Sequence, residues 1–207
     1  LARLFRGLEY ARLVNSYGDV PYYDHVVKNT DKDDLYKDRT PRNEVMDNVY
    51  DDFEYALANI RLNDGVQNIN RYVAAALVSR WALYEGSWQK YYYNNSAQAT
   101  KFFNLAVAAG DIVMNSGQFD ITLDFRSLFG SKDLASGKDV ILYRKYDAAQ
   151  GVTHCVASYS NVKESRTVGP NLALIKAFAC MDGKDWQTSM VENHDDFSMA
   201  NLIKTRD

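Results

Sequence analysis

The chain holds two cysteines and three histidines in 207 residues. Two cysteines are too few for a disulfide framework. Cys155 and Cys180 also lack metal-site spacing, so they read as buried free thiols. His25, His154 and His194 are scattered and supply no H-E-x-x-H pair to hold zinc on one helix face. No G-x-S-x-G elbow and no phosphate-cradling glycine-rich loop occurs. Asp31, Asp33, Asp34 and Asp38 crowd one loop, but without the glycine and closing glutamate of a calcium-binding loop they read as a solvated charged stretch. No apolar run reaches the length of a membrane span, and no secretory leader is legible. A net charge of −3 gives no general pull toward nucleic acid or anionic lipid.

What is present is ordinary in bulk and unusual in one residue type. Apolar residues make up 46% and charged residues 25%, the balance of a globular chain long enough to bury a core. Tyrosine stands out at 15, beside 9 Phe and 3 Trp. Its ring offers a flat apolar face and a hydroxyl, which suits wet interfaces and sugar rings as well as helix packing.

The organising stretch is 71–90. Ala74, Leu77, Val78, Trp81, Tyr84 and Trp88 recur at helical steps, Ala75, Ala76 and Ala82 permit close approach of another helix, and Asn70 is placed to cap the start. Trp81 and Trp88 read as core. Before this helix, residues 2–17 carry a stripe of Leu4, Leu8, Ala11, Leu13 and Val14, with Arg3, Arg6, Glu9 and Arg12 on the wet side, ending at Gly18 and Pro21. A long polar connection covers 22–39. Thr40 and Pro41 open a helix with Val45, Val49, Phe53, Leu57 and Ile60 inward. A fourth helix runs from about Ala97 to Met114, with Ala99, Phe103, Ala106, Val107, Gly110 and Val113 inward. Residues 1–115 thus form two successive helix pairs, tetratricopeptide-like in their small crossing residues although the strict repeat of about 34 residues is absent.

Residues 116–207 change character. Segments 119–123 and 139–146 are β-type, 147–170 is a polar loop, Asn171 caps a short helix to Ala179, and Trp186 and Phe197 stand isolated in a polar tail that lacks packing partners. The expected fold is mainly α: tetratricopeptide-like helical pairs packed with an irregular, loop-rich, ligand-facing part containing short strands, both pieces of one larger domain.

A binding function fits these residues better than catalysis. The candidate platform is Tyr146, Gln150, His154, Tyr159, Asn161 and Arg166, with Trp186 beyond it: rings to stack on a sugar and polar groups to take its hydroxyls. Tyr91, Tyr92 and Tyr93 are second candidates, since three adjacent rings do not all face one core. A glycan-cleaving enzyme requires two carboxylates roughly 5–10 Å apart across a cleft. A helical scaffold for protein partners is the second reading, ahead of the enzyme.

Several segments taken in order resemble one family. They are Tyr17-Gly18-Asp19-Val20-Pro21, then Arg39-Thr40-Pro41-Arg42-Asn43-Glu44-Val45, then the Ala-rich helix. Asp139-Val140-Ile141-Leu142 is similar to an "E-V-I-F" strand, Gly169-Pro170-Asn171-Leu172 leads to Met181-Asp182-Gly183, and Lys204-Thr205-Arg206-Asp207 starts an "R-D-P-R" motif. This pattern resembles the SusD/RagB family of nutrient-binding proteins encoded for polysaccharide utilisation. The resemblance implies a lipoprotein held on the outer-membrane cell surface of Bacteroidota-type bacteria through a lipidated cysteine outside this chain. It implies capture of an oligosaccharide or polysaccharide (a peptide in some members) and delivery to a TonB-dependent, SusC-like transporter. No enzyme activity, cofactor, metal or nucleic-acid partner is implied. Family members are more than twice as long, and with Leu1 inside a helical pattern the chain reads as a piece of a longer one.

Overall fold

The helical period of the first residues becomes α1 (Ala2–Tyr17) in the computed structural model, which describes residues 1–65, 67–135, 137–155 and 171–206. Leu4, Leu8, Ala11 and Val14 are buried as expected, whereas Leu13 is 40% exposed. Two residues past Ala11 is about 200° around the helix, so Leu13 falls on the opposite face. Arg3 and Arg6 are not simply wet. Both reach Asp52 on α3 (Arg42–Asn59), with Arg3 Nε at 2.9 Å and Arg6 Nε and Nη2 each at 2.7 Å. Asp52 is 1% exposed, and these charge-assisted hydrogen bonds satisfy a carboxylate that burial would otherwise penalise. Gly7 lets the helices approach: a Cβ there would stand 2.8 Å from the Phe53 ring.

The start of α3 differs from its sequence reading. Pro41, not Thr40, occupies the cap position, and it offers no capping side chain. The missing acceptor comes from a distance, as Asp19 Oδ1 takes the Arg42 N–H at 2.8 Å. Thr40 N–H bonds the Val20 carbonyl at 3.0 Å, and the Thr40 hydroxyl accepts from Tyr22 N–H at 3.3 Å. The two short motifs around Asp19 and Thr40 are therefore one structural clip. Between them, the polar connection folds a short α2 (Lys32–Leu35) and is tied down by Tyr23, whose hydroxyl donates to the Asp34 carbonyl at 2.6 Å.

α4 (Arg71–Tyr91) starts where predicted, with Asn70 Oδ1 accepting from Val73 N–H at 3.0 Å. Ala74, Ala75, Val78 and Ala82 are fully buried, which lets α5 (Ser96–Met114) pack along it. Gly86 completes that contact, since a Cβ would meet the Phe103 ring at 2.6 Å. On α5 the inner face is Ala99, Phe102, Leu105, Ala106 and Ala109, while Val107 is 63% exposed. The near-continuous apolar run from Phe102 to Ala109 leaves periodicity unable to choose a face, and packing against α4 makes the choice. Below Ala82, α4 buries charge. Glu85 holds Arg42 of α3 through two bonds of 2.6 Å, and Gln89 Nε2 joins Glu85 at 2.8 Å and Asn43 at 2.7 Å. The pairs α1/α3 and α4/α5, joined through α3 and α4, are the two helix pairs read from the sequence.

Beyond α5 the chain is irregular, with one short helix, α6 (Phe125–Gly130), capped by Asp124. Segments 119–123 and 139–146 do not pair as strands. Asp139 accepts the Thr122 and Leu123 N–H groups at 2.7 and 3.0 Å, so a side chain replaces the ladder partner. Among the described residues β structure is confined to isolated bridges. Tyr72, on the first turn of α4, meets Phe119 edge-on at 5.5 Å.

By compactness the chain divides into Leu1–Lys145 and Tyr146–Asp207, so the end of α5, where the sequence reading divided the chain, falls inside the first unit. The second unit contains α7 (Leu172–Ala177), capped by Asn171, and α8 (Met199–Thr205). Its tail packs on itself, against expectation. Arg206 donates to the His194 carbonyl at 2.8 Å and approaches Cys180 Sγ at 3.0 Å, and Cys180 and Arg206 form a β-bridge. Asp182 organises the preceding turn by accepting from Met190 N–H, Lys184 N–H and the Ser189 hydroxyl; these bonds, Met190 foremost, hold its carboxyl below the usual range. Both cysteines are free, but only Cys180 is buried; Cys155 is exposed.

Candidate functional site

Tyr146 and His154 are brought together by a tight turn. Asp147 and Val152 exchange backbone hydrogen bonds at 2.8 and 3.0 Å, Ala148–Gln150 forms one 3-10 turn, and Asp147 Oδ1 accepts from Ala149 N–H at 2.9 Å. Gly151 closes the turn at φ 70°, a conformation available to glycine at no steric cost. The rings then meet edge-on at 4.8 Å, with Tyr146 45% exposed and His154 exposed. A phenol and an imidazole held at near right angles offer a ring face with polar atoms close to it, the combination that stacks on a sugar ring and bonds a hydroxyl. Gln150 is exposed on the same turn.

Trp186 has different surroundings. It is half-buried, edge-on to Phe197 at 5.4 Å, with the Lys176 ammonium 4.9 Å from its ring and 4.8 Å from that of Phe197. His194 Nδ1 lies 2.6 Å from the Trp186 carbonyl. Trp186 and Phe197, read as isolated, thus belong to one aromatic–cation cluster. Tyr159, Asn161 and Arg166 lie outside the described residues.

A second aromatic surface runs along the C-terminal half of α4. Trp81 is edge-on to Tyr84 at 5.9 Å, Tyr84 stacks with Trp88 at 6.1 Å, and Trp88 stacks with Tyr92 at 4.4 Å. The Arg42 guanidinium lies 5.2 Å from the Trp88 ring and 5.9 Å from that of Tyr93. The Tyr84 hydroxyl bonds Asn15. Trp81 and Trp88 are half-buried: Trp81 packs against the buried core, and Trp88 Nε1 is buried without a hydrogen-bond partner among the described residues. The fully buried face of α4 is taken by small residues and by Glu85 and Gln89, which leaves the large rings at its margin, partly buried or exposed. Tyr91, Tyr92 and Tyr93 are all exposed. The four-residue spacing of Tyr84, Trp88 and Tyr92 was the available signal for this ladder.

Among the described residues, no group of three or more His, Cys, Asp or Glu side chains is placed to hold a metal ion. No helix there is long and apolar enough to cross a membrane.

The chain is similar to SusD-like protein P2 of Formosa agariphila, at 25% identity over 201 residues that cover 89% of this chain and 36% of that protein. It therefore spans about a third of the length of the curated relative it matches. No protein-family model matches the chain. No solved structure matches it.

Proposed function

We propose that this chain is part of a SusD-like, lipid-anchored protein of the outer-membrane surface. It captures oligosaccharide and hands it to a TonB-dependent, SusC-like transporter without cleaving it. The observation that carries this reading is the similarity to SusD-like protein P2 along nearly the whole chain. The helical pairs and the exposed aromatic side chains support it. Tyr146 with His154 forms the stacking face, and Trp186, Tyr159, Asn161 and Arg166 complete the set of contacts. Sugars need apolar ring faces and polar groups that hydrogen-bond their hydroxyls, and this set provides both.

The test is calorimetric titration of the full chain with a panel of oligosaccharides, repeated with Tyr146→Ala. Binding without release of reducing ends, weakened about 2- to 10-fold by loss of one stacking ring, is the expected result. Equal binding by the variant moves the site elsewhere and keeps the function. Release of reducing ends overturns the binding-protein reading in favour of a glycan-cleaving enzyme. Titration with peptides but not sugars replaces the ligand class, and binding of neither leaves a helical scaffold.

A further inference from the structure

The first unit contains a cavity of about 360 Å³ beside the start of α4. Five carboxamides line it: Asn63, Gln67, Asn68, Asn70 and Gln118. The rings of Tyr72, Phe119 and Tyr143 form part of its wall. Its described lining contains no Asp, Glu, Lys, Arg or His.

Several of these amides are fixed by one bond each. Asn63 Oδ1 accepts from Gly65 N–H at 3.0 Å, Asn68 Nδ2 donates to the Asp64 carbonyl at 2.8 Å, and Asn70 Oδ1 caps α4. Each carboxamide carries two donors and two acceptor lone pairs, so one bond sets its orientation and leaves the rest available. The Tyr143 hydroxyl donates to Asp133 Oδ1 at 3.3 Å, and the Gln118 carboxamide has no protein partner among the described residues. Gln67 sits at φ 65°, a backbone conformation that side-chain-bearing residues rarely adopt; a glycine would occupy it without strain, yet an amide stands there.

The chemistry of such a lining is selective. Without a charged group it offers nothing to offset the desolvation of a phosphate or carboxylate. Carboxamides both donate and accept, as hydroxyl groups do, and Tyr72 and Phe119, edge-on to one another, provide an apolar wall for the C–H face of a ring. The volume lies at the small end of ligand pockets. We propose that this cavity is a subsite for a neutral sugar, a mono- or disaccharide unit of a glycan, built from residues other than the Tyr146–His154 pair. The proposal rests on the glycan-binding reading above and adds a location and a charge class to it.

The test is an amide-resolved NMR titration of the isotope-labelled full chain with maltose, cellobiose and xylobiose, alongside glucuronic acid, for the parent and for Gln118→Ala and Gln67→Gly. Gln67→Gly removes the amide while relaxing the backbone, so a folding defect does not mask the result. The expected outcome is that a neutral disaccharide shifts the resonances of Tyr72, Gln118 and Phe119. Each variant then binds roughly 2- to 10-fold more weakly, the loss of a single hydrogen bond. Shifts confined to Tyr146, His154 and Trp186, with both variants binding like the parent, overturn the subsite and leave the glycan-binding function standing. Tighter binding of glucuronic acid overturns the neutral-sugar assignment. No shift with any sugar overturns both.

Discussion

Glu85→Leu tests the most demanding feature of the helical core. Arg42 and Glu85 are 4% and 1% exposed and meet through two hydrogen bonds of 2.6 Å. Removing the carboxylate strands a guanidinium between α3 and α4. Arg42 Nε is already buried without a partner among the described residues, so the freed donors add to an existing deficit, with Gln89 Oε1 the one unpaired buried acceptor in this network. Breaking a buried pair from one side costs about 3–5 kcal/mol, because the remaining charge is desolvated without compensation. Glu85→Leu and Arg42→Met are each expected to lose that amount in urea denaturation followed by the helical circular-dichroism signal. At about 2–4 °C per kcal/mol for a chain of this size, Tm falls by roughly 6–20 °C. The double variant is expected within about 1 kcal/mol of the parent, since an apolar pair of similar volume frequently replaces a buried ion pair at little cost. Two single variants that each lose less than about 1 kcal/mol, or a double variant that loses the sum, would refute the reasoning.

Two glycines predict opposite signs on one helix interface. Gly86→Ala drives a methyl to 2.6 Å from the Phe103 ring and is expected to cost about 1–3 kcal/mol, whereas Gly110→Ala on α5, with its nearest neighbour Ser79 at 3.6 Å, is expected to stabilise by up to about 1 kcal/mol in the same denaturation assay. Asp19→Ala removes the distant cap of α3 and is expected to cost about 0.5–2 kcal/mol, with faster hydrogen exchange at the Arg42 amide as its local mark. His25 bonds Asp24 at 2.8 Å and Asp34 at 3.0 Å, and these bonds, Asp24 first, raise its pKa above the ordinary value. A raised folded-state pKa stabilises the connection below the unfolded value of about 6.5 and loses that contribution as pH rises through the folded value. An NMR titration of His25 should show the elevation, and Asp34→Asn should diminish it.

Much of the helical half was legible because its signals are local. Asn70 lies one residue before an apolar helical period, and the period and the cap agree, so α4 begins where the sequence places it. α1 and α3 were found for the same reason, while the face of α5 was misjudged because apolar residues surround it. The segments at 119–123 and 139–146 have strand-like composition, but pairing depends on a partner, and the Asp139 carboxylate took that role. The candidate site was legible only in residue type. Tyr146 and His154 were expected in one platform, and the turn closed by Gly151 supplies their 4.8 Å approach, which no spacing rule fixes.

By itself the sequence determined the elements whose causes lie within a few residues: helical period, the Asn70, Asn171 and Gly stop signals, and a mainly helical fold rich in aromatic side chains. Only the tertiary structure decided what bonds form across long separations. Asp19 caps a helix that begins 23 residues later, and Arg42 is held by Glu85 across 43 residues. It also decided that Trp88 lies half-buried beside Arg42 and that five amides gather around one cavity. Local pattern sets backbone preference through steric and hydrogen-bonding terms of neighbouring residues. Burial and polar pairing depend on which surfaces meet, and that is a property of the whole fold.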